Sequence, residues 1–378
     1  MKFIHTSDWH IGRVLNDFSL LEDQRHLLTG LEALLEEERP DALVVAGDLY
    51  DRSVPPADAV ALLGGFLNRV AGEMNIPVLA VSGNHDSPQR LSFGAPLLQR
   101  SGLFLEGVYR KDIARVTLQD SLGPVHFYLL PYVEPALVRA DFPEETVKSY
   151  DDAFRVVIGH NLPAVDLTAR NVLVAHGFFS YLKDPDSVAR SESEVSLGGS
   201  DLIDARHMDP FDYAALGHIH RPQWVREPRM RYSGSLYKYS VSEWENEKSV
   251  TVVELGEKGS CSASLRTLPA LRDLRVLEGD FDSLLAEEPE EAGREDYIFA
   301  RLSDRTLIPG AMARLRTVYP NILGLSLSSG GSGETLSQDF RTKGPEELFD
   351  DFCLAVTGEH PTEEEQAEFL SALKEVAP

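Results

Sequence analysis

The sequence predicts an α/β protein built on two sheets packed face to face with helices outside, followed by a small α+β segment and a helical tail. Three observations predict it. Over residues 1–270, strand-length apolar runs alternate with stretches of helical periodicity, the pattern of an α/β sheet. Five of those runs end in Asp, Asn or His, so one sheet edge collects oxygen and nitrogen donors. After Pro269 the pattern restarts on a smaller scale, then yields at Ser328-Ser-Gly-Gly-Ser-Gly333 to the composition of a flexible linker.

Lys2-Phe-Ile-His-Thr6 opens the sheet and leads into Ser7-Asp8-Trp9-His10. Asn16 to Glu38 reads as one long helix, with Leu20, Leu21, Leu27, Leu28, Leu31, Leu34 and Leu35 at helical spacing and Pro40 ending it. Asp41-Ala-Leu-Val-Val-Ala46 is a buried parallel strand by composition, turning at Gly47 into Asp48. Open α/β sheets place their ligands at such carboxyl ends. Pro56 to Val70 is the next helix, its Pro pair suited to a first turn. Pro77-Val-Leu-Ala-Val-Ser82 delivers Gly83-Asn84-His85-Asp86, and residues 106–135 read as antiparallel strands. Asn171-Val-Leu-Val-Ala175 precedes His176, and Tyr213-Ala-Ala-Leu-Gly217 precedes His218-Ile219-His220. Tyr232–Ser235 and Ser249–Glu254 read as strands closing the second sheet.

Residues 269–328 read strand, helix, strand, helix, strand, with strands at Leu274–Leu277, Tyr297–Leu302 and Ile322–Leu327. No catalytic cluster lies there, so this segment is expected to shape or cap a site. Beyond a linker over 329–344 come two short helices. Pro345 to Val356 carries Leu348, Phe349, Phe352 and Val356 on one face. Thr362 and Glu365 form a capping box for the second, striped by Phe369, Leu370, Leu373 and Val376.

The 378 residues suit two domains plus an appendage, and a 43% hydrophobic content builds a packed core. No apolar run has membrane-span length, and Met1-Lys2-Phe3-Ile4 passes directly into a strand, so no signal peptide is expected. Two distant cysteines, Cys261 and Cys353, give no disulfide framework and fit a reducing compartment, so the cytoplasm is the expected location. The net charge of −25 excludes a general polyanion binder. The acidity is uneven, however: residues 345–378 hold ten acidic residues against one basic, Lys374. A nucleic-acid surface must then be local, or supplied by a partner or bound metal.

Asp8 and His10 stand two apart in an extended segment, so both can face one cation. Asp48 has two oxygens and can bridge two cations. Asn84 adds a neutral oxygen, and His176, His218 and His220 add imidazole nitrogens. This donor set suits manganese, iron or zinc better than calcium. With Asp48 shared, seven residues give each of two metals four ligands. His5, His26, His126, His160, His207 and His360 read as structural or surface histidines.

In order along the chain, Asp8-x-His10, Gly47-Asp48, Gly83-Asn84-His85-Asp86, His176 and Gly217-His218-x-His220 resemble the calcineurin-like metallophosphoesterases. The strings His5–Gly12, Ala215–His220 and Arg231–Ser235, with Ser242-Glu243 and Lys248-Ser249, narrow the resemblance to bacterial DNA nuclease subunits of that family. It covers roughly residues 1–255 and implies a two-sheet metallophosphoesterase sandwich. It also implies one metal on Asp8, His10, Asp48 and His220, a second on Asp48, Asn84, His176 and His218, and manganese as the activating ion. His85 would sit by the scissile phosphate, oriented by Asp51. The acidic tail, 345–378, would dock on the coiled-coil base of an ATPase partner. A homodimer would form near residues 54–70 and 88–105, where Leu62, Leu63, Phe66, Phe93 and Leu97 are the apolar candidates.

The reaction expected is hydrolysis of DNA phosphodiesters: exonuclease action from duplex ends and endonuclease action on single strands or hairpins. Two divalent ions can clamp the phosphodiester, and Arg13, Arg52 and Arg90 follow three site motifs and can hold DNA phosphates. The chain has no GxxxxGK[ST] loop, so ATP must act through the partner. Two rival readings stand beside this one: a phosphatase or small-molecule phosphodiesterase with the same core, and a DNA-end scaffold whose metals are incidental.

Overall fold

The computed structural model describes residues 1–181, 188, 201–286, 293–304, 306, 308–327, 349, 350, 353, 360–362, 365, 366 and 368–370. The linker expected over 329–344 lies outside them, as do Phe352 and Leu373 of the tail.

Fifteen strands carry the architecture: β1 Lys2–Thr6, β2 Ala42–Ala46, β3 Val78–Val81, β4 Leu103–Glu106, β5 Ala114–Asp120, β6 Gly123–Leu130, β7 Arg170–His176, β8 Tyr213–Gly217, β9 Gln223–Arg226, β10 Met230–Tyr232, β11 Val250–Leu255, β12 Cys261–Arg266, β13 Leu274–Gly279, β14 Tyr297–Leu302 and β15 Ile322–Leu327. The first sheet runs β12-β11-β1-β2-β3-β4 and the second β9-β10-β8-β7-β6-β5. In the first, β1 to β4 are mutually parallel, while β11 and β12 are antiparallel additions. In the second, β6, β7, β8 and β10 are parallel, with β5 and β9 antiparallel at the edges.

The period-two alternation of strand side chains sorts residues between layers. Ala42, Val44 and Ala46 of β2 point inward, meeting Val172 and Val174 of β7 in the core between the sheets, with Phe3, Phe127 and Tyr213. Leu43 and Val45 point outward beneath helix α1, Leu21–Glu38, and helix α2, Ala57–Leu67. Leu173 and Ala175 point the other way, into a layer with helix α3, Pro135–Asp141, and helix α4, Tyr150–Asn161. His5 is caught between the sheets, 3.1 Å from the Tyr213 hydroxyl, and burial pushes its pKa down to about 3.

Three expectations need correction. The first helix starts at Leu21, because a two-residue hairpin, Val14–Leu15 with Phe18–Ser19, occupies the preceding turn. Val250–Leu255 joins the first sheet, pairing antiparallel with β1, instead of closing the second. Leu62, Leu63 and Phe66 face the core from α2 itself, so of the five apolar dimer candidates only Phe93 and Leu97 are exposed, at 86% and 70%.

The chain divides into two compact units, residues 1–302 with 308–326, and residues 303–307 with 327–378. Within the first, the β13-β14-β15 sheet shares its core with α1 through Leu274, Tyr297 and Leu323. Arg272 clamps Asp23 at 3.0 Å and Glu22 at 2.6 Å, and the Tyr297 hydroxyl donates to Asp23 at 3.0 Å. In the second unit, the expected capping box is present: Glu365 N–H donates to Thr362 Oγ1 at 3.3 Å, and Thr362 N–H donates back to the Glu365 carboxylate at 2.8 Å. The rings of Phe349 and Phe369 stack at 4.1 Å.

Candidate metal centre

Each donor-bearing loop leaves the carboxyl end of a parallel strand, so the sandwich brings five loops to one edge. Asp8 and His10 follow β1, Asp48 follows β2, Asn84 and His85 follow β3, His176 ends β7, and His218 and His220 follow β8. The backbone there is strained to aim them. Asp8, His10, Asp48 and His218 have φ of 52°, 45°, 51° and 102°, a region costing a non-glycine residue about 1–3 kcal/mol. Gly83 stands where any Cβ would collide with the Asp48 carboxylate, and Gly47 where one would strike the His176 ring.

The donors converge. His176 Nδ1 donates to the Ala46 carbonyl at 2.8 Å, which turns Nε2 toward Asp48 Oδ2 at 3.3 Å and Asn84 Oδ1 at 3.0 Å. His218 Nδ1 lies 3.1 Å from the same Asn84 oxygen. His10 Nε2 faces His220 Nε2 at 3.1 Å and Asp48 Oδ2 at 3.6 Å. Asp8 is anchored by the His218 N–H at 2.9 Å and the Ser7 hydroxyl at 2.5 Å. Ligating atoms of Asp8, His10 and His220 lie within 4.8 Å of one another, as do those of Asp8, Asp48 and His176 and those of His10, Asp51 and His85.

Electrostatics sharpen the picture. Burial opposes charge on Asp48, but His176, His10 and His85 hold its carboxyl well below the usual range. Burial likewise opposes charge on His176, yet Asp48 lifts it to about 9. Burial raises Asp8 and drives His10 well below an ordinary imidazole. Buried charges of this kind need a partner. Two carboxylates, an amide oxygen and four imidazoles on one edge fit borderline divalent cations.

Several residues with no sequence-based role hold the centre in place. Glu243, fully buried, accepts from His220 Nδ1 at 2.9 Å and from Lys248 Nζ at 2.6 Å. Burial works against its charge, but Lys248 and His220 take its pKa down to about 2. Lys248 Nζ also donates to the His220 carbonyl at 2.9 Å. Asp86 accepts from Gly83, Leu49 and Tyr50 N–H groups at 3.0, 3.1 and 2.9 Å, tying the loop after β3 to the loop after β2. Tyr132, past the end of β6, sets its ring 6.1 Å from His176.

His85 N–H donates to Asp48 Oδ1 at 2.9 Å, and its Nδ1 donates to the Asp51 backbone carbonyl at 3.0 Å. The Asp51 carboxylate is instead gripped by Arg13 at 2.9 Å and approached by Arg52 at 3.7 Å. Arg90 is exposed on the short helix Pro88–Leu91. The histidines set aside stay apart: His26 on α1, His126 beside Thr117 at 2.8 Å, His160 on α4 beside Asp112 at 3.0 Å, His207 beside Asp151 at 2.8 Å and His360 beside Asp350 at 2.9 Å.

The family model described as calcineurin-like phosphoesterase matches residues 1–222, so the chain belongs to the calcineurin-like phosphoesterases, enzymes that hydrolyse phosphoesters with divalent metals. A second model, described as the type 5 capsule protein repressor C-terminal domain, matches residues 270–375. Within that family the chain falls among the SbcD nuclease subunits. It is 31% identical over 367 residues to the SbcD component of the SbcCD nuclease of Staphylococcus saprophyticus, covering 96% of this chain and 95% of the relative. It is 30% identical over 361 residues to the same component in Staphylococcus epidermidis, covering 95% and 94%. Among solved structures, the protein TT1561 of Thermus thermophilus aligns over 70% of this chain and 98% of its own, with 13% identity and a TM-score of 0.42.

Proposed function

We propose that the chain is the nuclease subunit of an SbcCD-type complex, hydrolysing DNA phosphodiesters in end processing and repair. Its actions would be exonuclease at duplex ends and endonuclease on single strands and hairpins. The observation that carries the reading is the convergence of seven donors on one sheet edge, in a chain that spans SbcD relatives almost end to end. Asp8, His10, Asp48 and His220 would hold one divalent ion; Asp48, Asn84, His176 and His218 would hold the other, with manganese the ion proposed. Such a pair of ions polarises the phosphate and stabilises attacking and leaving oxygens. The chain's own part is to hold that edge rigid, to set His85 beside the phosphate, and to offer Arg13, Arg52 and Arg90 as phosphate-binding groups. The test is manganese-dependent cleavage of end-labelled duplex and hairpin DNA, with a nucleotide panel alongside. Activity on nucleotides alone would favour the small-molecule reading, and no hydrolysis of either would favour the scaffold.

Glu243 would orient His220, and orienting partners of this kind are worth 10–100-fold in metal affinity. Glu243→Gln is therefore expected to weaken manganese binding by about 10–100-fold in a calorimetric titration. Unchanged affinity would make Glu243 a packing residue only.

One internal contact and two assembly contacts belong to the same reading. The segment 269–328 would cap the site, and the helical tail over 345–378 would bind the SbcC-type ATPase in the cytoplasm. Deleting residues 334–378 should leave manganese-dependent nuclease activity of the isolated subunit largely intact while ending co-purification with the ATPase. A truncated chain that binds it with undiminished affinity would place the contact elsewhere. Phe93, Leu97 and Val60, 86%, 70% and 47% exposed, would seat a second copy. Light scattering should then read twice the 41.9 kDa of one chain at micromolar concentration, and a monomer alone would count against the dimer.

A further inference from the structure

A cavity of about 340 Å³ opens beside the metal centre, with Gly83 and Asn84 on its rim. It is built from the loops after β3, β4 and β6 and walled by α3. Its lining falls into two kinds. Tyr109, Tyr132, Val108 and Leu137 give ring and aliphatic surface, and Leu137 is 49% exposed although apolar. Glu134 and Asp141 give exposed carboxylates, with Gln89 an amide. Neither Lys nor Arg is among the described lining residues. Nothing in the proposed reaction at the metals uses this space.

We propose that this cavity is a nucleobase subsite, taking the unstacked base of the nucleotide next to the phosphate held at Asn84. The inference rests on the nuclease reading and names the part of the substrate that lies beside the chemistry. Three features select a base over other occupants. The cavity adjoins Asn84, so what fills it must be covalently close to the phosphate. Its carboxylates and lack of cationic lining repel a second phosphate, which excludes the sugar–phosphate backbone as occupant. Its aromatic and aliphatic walls suit a flat ring, and Glu134, Asp141 and Gln89 can accept from exocyclic amino or ring N–H groups. Bases read while unstacked are held this way, by stacking on side chains with hydrogen bonds to their edges. The volume is also in the range of small-ligand pockets. A base can enter only after leaving its stack, which ties the subsite to frayed ends, single strands and hairpin loops.

The experiment compares deoxyguanosine monophosphate with inorganic phosphate as ligands of the full chain in manganese, by calorimetry. The same chain is assayed on the p-nitrophenyl ester of a deoxynucleoside monophosphate and on methyl p-nitrophenyl phosphate, which shares the leaving group and lacks the base. Loss of one stacking partner is worth about tenfold. The nucleotide is therefore expected to bind at least about tenfold more tightly than phosphate. Leu137→Trp, which fills the cavity from the α3 wall, should erase that advantage and cut the preference for the base-bearing ester by the same factor. A second variant, Glu134→Gln with Asp141→Asn, should lower affinity for deoxyguanosine monophosphate more than for thymidine monophosphate, titrated alongside as a nucleotide whose base has fewer N–H donors. Equal binding of nucleotide and phosphate, or a preference that survives Leu137→Trp, overturns the subsite even if the chain cleaves DNA. A base preference retained in a chain that cleaves no DNA upholds the subsite and overturns the nuclease reading.

Discussion

Replacing Asp48 by alanine is expected to abolish phosphodiester hydrolysis and to lower the occupancy of both metals. The carboxylate sits between the two donor groups: Oδ2 lies 3.3 Å from His176 Nε2 and 3.6 Å from His10 Nε2, and Oδ1 takes the His85 N–H at 2.9 Å. Its loss removes the shared ligand of both proposed ions and unhooks the backbone that positions His85. The fall in rate should therefore exceed the 10²–10⁴-fold that removal of one acid–base group causes. The fold should persist, because Asp48 sits on a loop whose geometry is also held by Asp86 and by the backbone bonds from Asp8 to Gly47 and from His10 to Asp48, at 3.0 and 2.9 Å. Metal analysis separates this from a purely catalytic defect. His218→Ala should disturb chiefly the ion proposed on Asn84 and His176. An Asp48→Ala protein with full metal content and full activity would overturn the assignment.

The edge that carries these residues was legible because each donor sits immediately after a short apolar run. A strand of four or five buried residues leaves little choice about where its chain emerges, and the sandwich gathers every such exit. What stayed hidden depends on contacts between distant parts of the chain. The strand Val250–Leu255 has the same alternation whichever sheet takes it, and only its register against Lys2–His5 settles the matter. The start of the first helix was misplaced because two-residue strands are set by pairing, not by periodicity. Leu62, Leu63 and Phe66 sit on a helix too apolar for its spacing to tell an inner face from an outer one.

Side-chain roles were harder still. Nothing in the spacing of Glu243 and Lys248 ties them to His220, although the structure threads all three into one hydrogen-bonded chain. Tyr132 is a lone tyrosine after a strand, with no pattern to mark it. The left-handed backbone at Asp8, His10 and Asp48 cannot be read from residue type alone, since Asp and His are enriched in that region yet mostly stand outside it. The partner of His85 shows the limit most sharply. The family resemblance implies that Asp51 orients it, but only coordinates reveal that the imidazole binds the Asp51 carbonyl while the carboxylate serves Arg13.

His85→Asn is expected to keep both metals and DNA binding while losing cleavage by about 10²-fold or more, the scale of a lost acid–base group. The ring is held at one nitrogen and along its edge: Nδ1 donates to the Asp51 carbonyl at 3.0 Å, and the ring meets His10 edge-on at 4.8 Å. That hydrogen bond fixes the proton on Nδ1, so in the role proposed for His85 the atom that would exchange a proton with a phosphate or a departing oxygen is Nε2. Asn at 85 preserves the main-chain N–H to Asp48 and keeps an amide N–H for the Asp51 carbonyl, while it removes the ring, its contact with His10 and the Nε2 atom. A competing role is written in the same geometry, since His85, His10 and Asp51 also place ligating atoms within 4.8 Å of one another. The two roles diverge in metal content. A variant that binds manganese and a DNA hairpin with unaltered affinity but cuts it slowly makes His85 a proton carrier. A variant that comes out short of metal makes it a ligand, and the assignment proposed for it falls.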